Sequence, residues 1–432
     1  MAYLYNVKAV VKETGVKANT LRAWERRYQL PMPTRSQGGQ RQYSAADIAT
    51  IKWLRARKDE GMSIQVAVNL WNETIADGKN PAENFSSAEL EKYNENETAI
   101  EKQSPENFKQ RWVKACLDFD EYEAENVIRQ AFSFFELQIV CLDILQDGLV
   151  EIGRLWYLGD ATVQQEHFAS ALTVRRLNAL IAANSDATRE GRIIVATPSN
   201  EEHVVSSLIL TLLLRQSGFH VVNLGANVPQ DGLKIMLNII DPDLAVFSST
   251  HIRSLPSLHE TANYLAELGT QLAYGGRIFS KYHELQGRIP GHYLGNDLLE
   301  SRRMIEEFLE KDQDAPEKTV PNEDLQNSRK AFAEHRAAIE KMVDGLFGRA
   351  TKDLETHHRF TADNISATLA LGLDNPLHGE LAWAREYVDR MPDGMPSLKE
   401  YLDSYLRIAK QELSHNGGPV ITWLHQALTS LQ

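Results

Sequence analysis

Glu201 and His203 stand two positions apart just beyond the apolar run RIIVATP. A carboxylate next to an imidazole fixes the ring's tautomer and makes it a better metal ligand, so this pair is a candidate ligand site at a strand-to-helix turn. Asn200 precedes the pair and Ser206 follows it. Two later apolar runs end in small residues: Ser248-Ser249-Thr250 closes LAVF, and Gly275-Gly276 closes LAY. Small residues at neighbouring strand ends open a slot for a long ligand tail, in the crevice where open parallel sheets bind their ligands. Upstream, WYLGDATVQQEH carries Trp156 and then the pair Glu166-His167. An indole is a flat apolar wall, and a carboxylate accepts hydrogen bonds from hydroxyl groups. Each of these residues taken singly is more often a core, cap or surface residue than a ligand, so only their order along the chain argues for one site.

Periodicity defines the elements that must hold them. Residues 107–186 read as helix almost throughout, with breaks near Asp118–Glu121, Ser133–Glu136 and Leu158–Asp160, which makes four helices of bundle length. From residue 187 to 310 short apolar strands alternate with helices, the pattern of a doubly wound parallel sheet covered on both faces. Residues 76–106 and 311–325 are polar, lack an apolar face and read as linkers. The expected fold is therefore multidomain, α and α/β, with a first piece at 1–75 and a helical piece at 326–432.

The formal net charge is −13, which taken alone disfavours nucleic acid. Residues 1–73, however, hold twelve Lys or Arg against six Asp or Glu, a basic head on an acidic body. In that head YNVKAVVKET and ANTLRAWERRY make two short helices around Gly15, with Asn19 or Thr20 available as the second helix's N-cap. The spacing is that of a helix-turn-helix, and Arg22, Arg26 and Arg27 cluster on the second helix. Pro31, Pro33, Gly38 and Gly39 ahead of Gln40–Tyr43 suit a tight hairpin, a wing whose Arg35 and Arg41 reach backbone phosphates.

Through Thr20-Leu21-Arg22, Trp24-Glu25-Arg26-Arg27-Tyr28, Arg35, Gly39, Arg41, Tyr43-Ser44 and Asp47-Ile48, this head resembles the MerR family of transcription regulators. The resemblance implies a winged helix-turn-helix that dimerises and reads double-stranded DNA with its second helix in the major groove. It assigns Arg22, Trp24, Arg26, Arg35, Arg41 and Tyr43 to DNA, and leaves Glu25 as a structural partner for a neighbouring arginine. Metal-sensing members bind their ion with cysteines beyond the wing, and none stands there, so the effector site lies elsewhere.

The strand-end residues resemble the cobalamin-binding domain of corrinoid proteins, with its Asp-x-His-x-x-Gly, Ser-x-Leu and Gly-Gly elements. That resemblance implies His203 as the lower ligand to cobalt and Glu201 as its orienting partner. Ser248 would be a third member of the relay, and Gly275 and Gly276 would line the pocket for the nucleotide tail. The chain departs from the pattern at Glu201, at Ser206 in the usual glycine position, and at Thr250 for leucine. Trp156 followed by Glu166-His167, on a four-helix bundle ahead of such a domain, resembles the CarH and LitR group of adenosylcobalamin-dependent photoreceptors. There the tryptophan and the Glu-His pair surround the adenosyl group on the upper face of cobalt. The resemblance implies adenosylcobalamin, or another cobalamin form, as chromophore, and a dimer or tetramer that weakens in light. Some members follow the tryptophan with a histidine that captures the vacated cobalt face, where this chain has Tyr157. Either another residue such as His167 fills that role or the light product differs, with the phenol as a weak ligand the less favoured reading.

Cys116 and Cys141 are too few for a disulfide framework and read as buried apolar residues. The opening residues lack a secretory pattern, and the longest aliphatic run, Leu208–Leu214 with one threonine, is too short to span a membrane, so a cytoplasmic, non-enzymatic regulator is expected. Residues 326–432 read as all-helical, with His357, His358, His378 and Trp383 the notable side chains. An oligomerisation or partner-binding bundle is the simpler reading of that region, and a second tetrapyrrole pocket the sharper one, without a motif. Two other readings stay open: a MerR-type regulator whose effector domain senses another ligand or a protein, and a corrinoid-dependent enzyme component.

Overall fold

The chain divides into two units, Met1–Ser104 and Pro105–Gln432, in its computed structural model. The structure describes residues 5–35, 41–59, 62–76, 81, 104–184, 186–310, 322–347, 353–388, 396–413 and 417–431. Gly38, Gly39 and Gln40 of the expected hairpin turn lie outside the described residues, as do 77–80 and 82–103 of the first expected linker and 311–321 of the second.

In the first unit, strand β1 (Tyr5–Asn6) leads into helices α1 (Val7–Thr14) and α2 (Ala18–Tyr28). Strands β2 (Thr34–Arg35) and β3 (Arg41–Tyr43) form the wing, and helices α3 (Ala45–Asp59) and α4 (Ile64–Ala76) close the unit. The strands pair antiparallel in the order β1-β3-β2, with Arg35 opposite Arg41. Gly15 makes the turn between α1 and α2 at φ 65°, and a Cβ there would strike the Arg55 guanidinium, whose Nη1 donates to the Thr14 carbonyl at 2.5 Å. The expected N-cap is not used: α2 begins at Ala18, its cap position is Lys17, and no side chain bonds the first turn. Asn19 instead accepts from Arg22 Nη1 at 3.5 Å.

The second unit opens with helices α5 (Pro105–Leu117) and α6 (Glu121–Phe134). A third helical run passes through Leu137–Ile139 and a π-helical stretch, Val140–Gln146, into α7 (Asp147–Leu158), and α8 (Val163–Ala182) completes the bundle. Its core holds Trp112, Val127, Ile144, Ile152 and Cys116. Both cysteines are buried, and burial pushes each thiol up to about 12, so neither is a thiolate at neutral pH.

Five parallel strands follow: β4 (Arg192–Pro198), β5 (His220–Val228), β6 (Leu244–Ser248), β7 (Leu272–Gly275) and β8 (His292–Tyr293), in the order β5-β4-β6-β7-β8. Order reverses between β4 and β6, so the loops leaving those two strands diverge and leave a crevice. Helix α9 (Val205–Gln216) is apolar on nearly every side because it is covered on both. Leu210 and Leu214 face the sheet core, while Leu208, Ile209, Leu212 and Leu213 pack with Cys141, Leu177 and Ile181 of the bundle.

Beyond Leu309 five further helices follow among the described residues. Three serve the argument below: α10 (Glu323–Phe347), α11 (Asp353–Leu371) and α12 (His378–Val388). They pack around Phe332, Ile339, Ile365, Tyr401, Tyr405 and Trp423. This region is not a tethered appendage: Ala367, Leu371 and Leu377 belong to the same buried core as Ile194, Phe247, Ile252, Phe279 and Tyr282 of the α/β domain. His357 and His358 sit in the helical interior rather than facing a pocket. His358 is bonded to the Tyr401 hydroxyl at 2.6 Å and to Asp344 at 3.0 Å, and His357 lies with its ring centroid 5.0 Å from that of Tyr401.

Candidate functional site

Six residues lie between the end of β4 and the start of α9, and their backbone is pinned from several sides. Thr197 Oγ1 donates to the Glu201 carbonyl at 2.6 Å, and the Asn227 backbone N–H donates to the same oxygen at 3.0 Å. Asn200 adopts the left-handed region at φ 67°, and its N–H is held by Asn227 Oδ1 at 2.8 Å. This loop carries Glu201 into the interior, where its side chain is fully buried.

Every lone pair needed to keep a buried carboxylate charged is supplied. Glu201 Oε1 is bonded to His203 Nδ1 at 2.7 Å and accepts the His203 N–H at 3.0 Å. Oε2 accepts the Thr250 N–H at 2.6 Å, the His251 N–H at 3.2 Å and the Ser254 hydroxyl at 3.1 Å. Burial alone would raise the carboxyl, but the His203 ring and the N–H groups of Thr250 and His203 outweigh it and hold the group at about 2. An anionic Glu201 requires a proton on Nδ1, which leaves the Nε2 lone pair for a ligand. The His203 side chain is 50% exposed.

Two residues of the expected set have other jobs. Ser248 does not join the relay; Ser254 does, bonded in turn to Ser249. The Ser248 hydroxyl is buried without a hydrogen-bond partner at the end of β6, directly opposite Gly275 in register. Thr250 contributes its backbone N–H to the clamp. The Gly-Gly pair divides its work: a Cβ at Gly276, φ 116°, would lie 2.1 Å from the Ser249 carbonyl, whereas one at Gly275 would meet nothing closer than 3.9 Å. Gly276 is needed by the backbone, and Gly275 keeps the slot beside Ser248 open. Ser206 Oγ accepts from Gln146 Nε2 at 3.1 Å, a bond from the π-helical stretch of the bundle to the first turn of α9. His251 was not anticipated; its ring centroid is 4.5 Å from that of His203. Crowding by the surrounding protein, and then the neighbouring His203, hold it down to about 4 although its edge is open to the cleft.

On the bundle, Gly159 at φ 84° ends α7 and a capping box of Thr162 and Gln165 starts α8, so a short turn joins the helix carrying Trp156 to the one carrying the Glu166-His167 pair. Trp156 is 46% exposed, unusual for an indole. Glu166 is bonded to His167 Nδ1 at 2.6 Å and accepts from Ser170 Oγ at 2.7 Å. Tyr157 points elsewhere: its hydroxyl donates to Glu386 at 2.8 Å.

These residues fit a chelated cobalt. Among the described residues no three His, Cys, Asp or Glu gather to hold an ion, and His203 with its Glu201 partner offers one ring nitrogen, the donor that a metal already held in a macrocycle takes. The orphaned Ser248 hydroxyl beside the space over Gly275 is a polar contact for a tail, and the exposed Trp156 is an apolar surface without cover.

In the first unit, Arg22 and Arg26 are exposed one turn apart on α2, and Arg35 and Arg41 face each other on the wing. Trp24 and Tyr43 are corrected: both are buried in the head's core, because the helix and wing need an apolar seam. Glu25 takes the role expected of it, pairing with Arg41 Nε at 2.6 Å and accepting from the Tyr43 hydroxyl at 2.6 Å. It thereby ties α2 to β3.

Residues 5–73 match the family of MerR HTH regulatory proteins, and residues 109–181 match the B12 binding domain. The chain thus joins a segment of MerR HTH type to a segment of B12-binding type. Among individual proteins it is 25% identical to the HTH-type transcriptional repressor CarH of Myxococcus xanthus over 291 residues, 67% of this chain and 94% of that one. It is 29% identical to the repressor CarA of the same organism over 251 residues, 57% of this chain and 77% of that one. The monomethylamine corrinoid protein of Methanosarcina barkeri aligns with 48% of this chain at 14% identity and a TM-score of 0.41. Among the described residues no helix is long and apolar enough to cross a membrane.

Proposed function

We propose that this chain is a light-responsive transcription repressor that takes adenosylcobalamin as chromophore and, on illumination, changes its oligomeric state and its hold on double-stranded DNA in the cytoplasm. The observation that carries the reading is the buried Glu201 clamp, which keeps His203 Nδ1 occupied and leaves Nε2 for a ligand. When bound, adenosylcobalamin supplies a cobalt–carbon bond that visible light breaks. His203 is the lower cobalt ligand, Glu201 its orienting partner, and Ser248, Gly275 and Gly276 the lining for the nucleotide tail. Asn200, Ser206 and Thr250 shape the mouth of that pocket. Trp156 shelters the upper organic substituent and Glu166 accepts from its hydroxyls, with His167 beside them. Were that substituent lost, Trp156 and Glu166 would lose the group they hold, and a joint surface between copies would be biased toward dissociation. A dissociated protein binds DNA less well, since linked heads gain from effective concentration. Arg22, Arg26, Arg35 and Arg41 carry the phosphate and groove contacts.

The protein reconstituted with adenosylcobalamin in darkness and desalted is expected to retain a corrin spectrum. Green light should change that spectrum and lower the native mass. No retained corrin sinks the reading, and a retained corrin with unchanged mass in light removes the proposed switch. Arg26→Ala should weaken operator binding and flatten its dependence on log salt by about one unit, as expected for a lost phosphate contact.

A further inference from the structure

Helix α12 touches both walls of the cofactor cleft. On the bundle side the ring of Trp383 stacks on Tyr157, centroids 6.5 Å apart and planes at 25°, and Tyr387 continues the stack at 5.4 Å and 16°. The Tyr157 hydroxyl donates to Glu386 on the same face. One to two turns earlier the helix grips the α/β domain. Glu380, its side chain 14% exposed, accepts from the Tyr282 hydroxyl at 2.7 Å and pairs with Lys281 at 2.8 Å. Gly379 lies so close that a Cβ would stand 2.7 Å from the Tyr282 hydroxyl oxygen. Lys281 and Tyr282 end the short helix that starts at the Gly275-Gly276 turn. Helix α11 meanwhile packs on the Ile252–Ser254 turn, whose Ser254 hydroxyl holds Glu201.

We propose that α12 is an in-chain clasp that holds the end of α7, and with it Trp156, against the α/β domain, with Tyr157 as the bundle-side anchor. The two anchors are unequal. The α/β side is continuous with a buried core through Leu371 and Leu377. The bundle side includes an aromatic stack and an exposed hydrogen bond, contacts of small individual worth, and the clasp is proposed to open there. Tyr157 is therefore a tether to the C-terminal helices rather than a cobalt ligand. As a control on the same cleft this rests on the cobalamin reading, but the contacts themselves do not.

The test is amide hydrogen exchange on the full chain without cofactor, comparing the parent with Trp383→Ala and with the milder Glu386→Gln. Exchange across the last turn of α7 should quicken about tenfold in Trp383→Ala and less in Glu386→Gln, with α5 and α6 unchanged, as for a local opening. If Trp383→Ala does not fold, Tyr157→Phe with Glu386→Gln serves, and the double variant should show no more change than either single one. Exchange that rises only within α12, or nowhere, overturns the clasp. Faster α7 exchange in the variants, with a parent that retains no adenosylcobalamin, leaves the clasp standing and removes the cobalamin reading instead.

Discussion

The two walls of the cleft are built on opposite plans. The lower wall centres on a carboxylate that water cannot reach, held by three backbone N–H groups, a hydroxyl and an imidazole. The upper wall presents an exposed indole and a Glu-His pair with one further hydroxyl contact. In low dielectric a fully satisfied network fixes one geometry, because every alternative leaves a buried group unpaired. A loosely held surface lets a substituent leave and the helix beneath it move. On the proposed reading, rigidity sits where the ligand is oriented and freedom where its substituent is released.

Disturbing the lower wall should cost most. Glu201→Ala strands several buried donors and should lower stability by about 3 kcal/mol or more, read by chemical denaturation, with cobalamin retention lost as well. An effect below about 1 kcal/mol would mean that the clamp is not a structural centre. Next, Gly276→Ala should destabilise by about 2 kcal/mol through its backbone clash and positive φ, whereas Gly275→Ala should leave stability almost unchanged and reduce cofactor retention alone. Equal effects at the two glycines would dissolve the division of labour drawn above. Acid should act on the lower wall selectively. Glu201 is held at about 2 against an ordinary 4.5, so its contribution is complete above about 4.5 and is lost as pH falls toward 2. Glu201→Gln should flatten that limb of the stability–pH curve. Smallest in stability is the upper wall: Trp156→Ala should shift unfolding by no more than about 0.5 kcal/mol, since the indole is already half in water, while speeding loss of the upper-face ligand. A large stability loss would show that Trp156 is core after all.

The division into bundle, parallel sheet and helical tail was legible because each has its own apolar period, and the π-helical Val140–Gln146 hides within one such run. Glu201 and His203 were legible as a pair because two residues at a turn are neighbours by chain geometry alone. Ser254 was not: it reaches Glu201 from 53 positions away, through a short 3₁₀ turn that no periodicity marks. Trp24 and Tyr43 were misassigned to DNA because an aromatic among arginines reads the same whether it faces outward or inward. Only packing against Leu21, Ile51 and Trp71 tells them apart.

Local chemistry, then, was written in the chain order: an arginine-rich turn motif, an imidazole behind a carboxylate, two glycines where a strand ends. Those features depend on residues a few positions apart, where covalent geometry limits the choices. Which hydroxyl completes the clamp, which aromatics are interior, and the attachment of Tyr157 to a helix more than two hundred residues on were decided by the folded chain. Contacts of that range depend on how whole layers pack, and no local pattern encodes them.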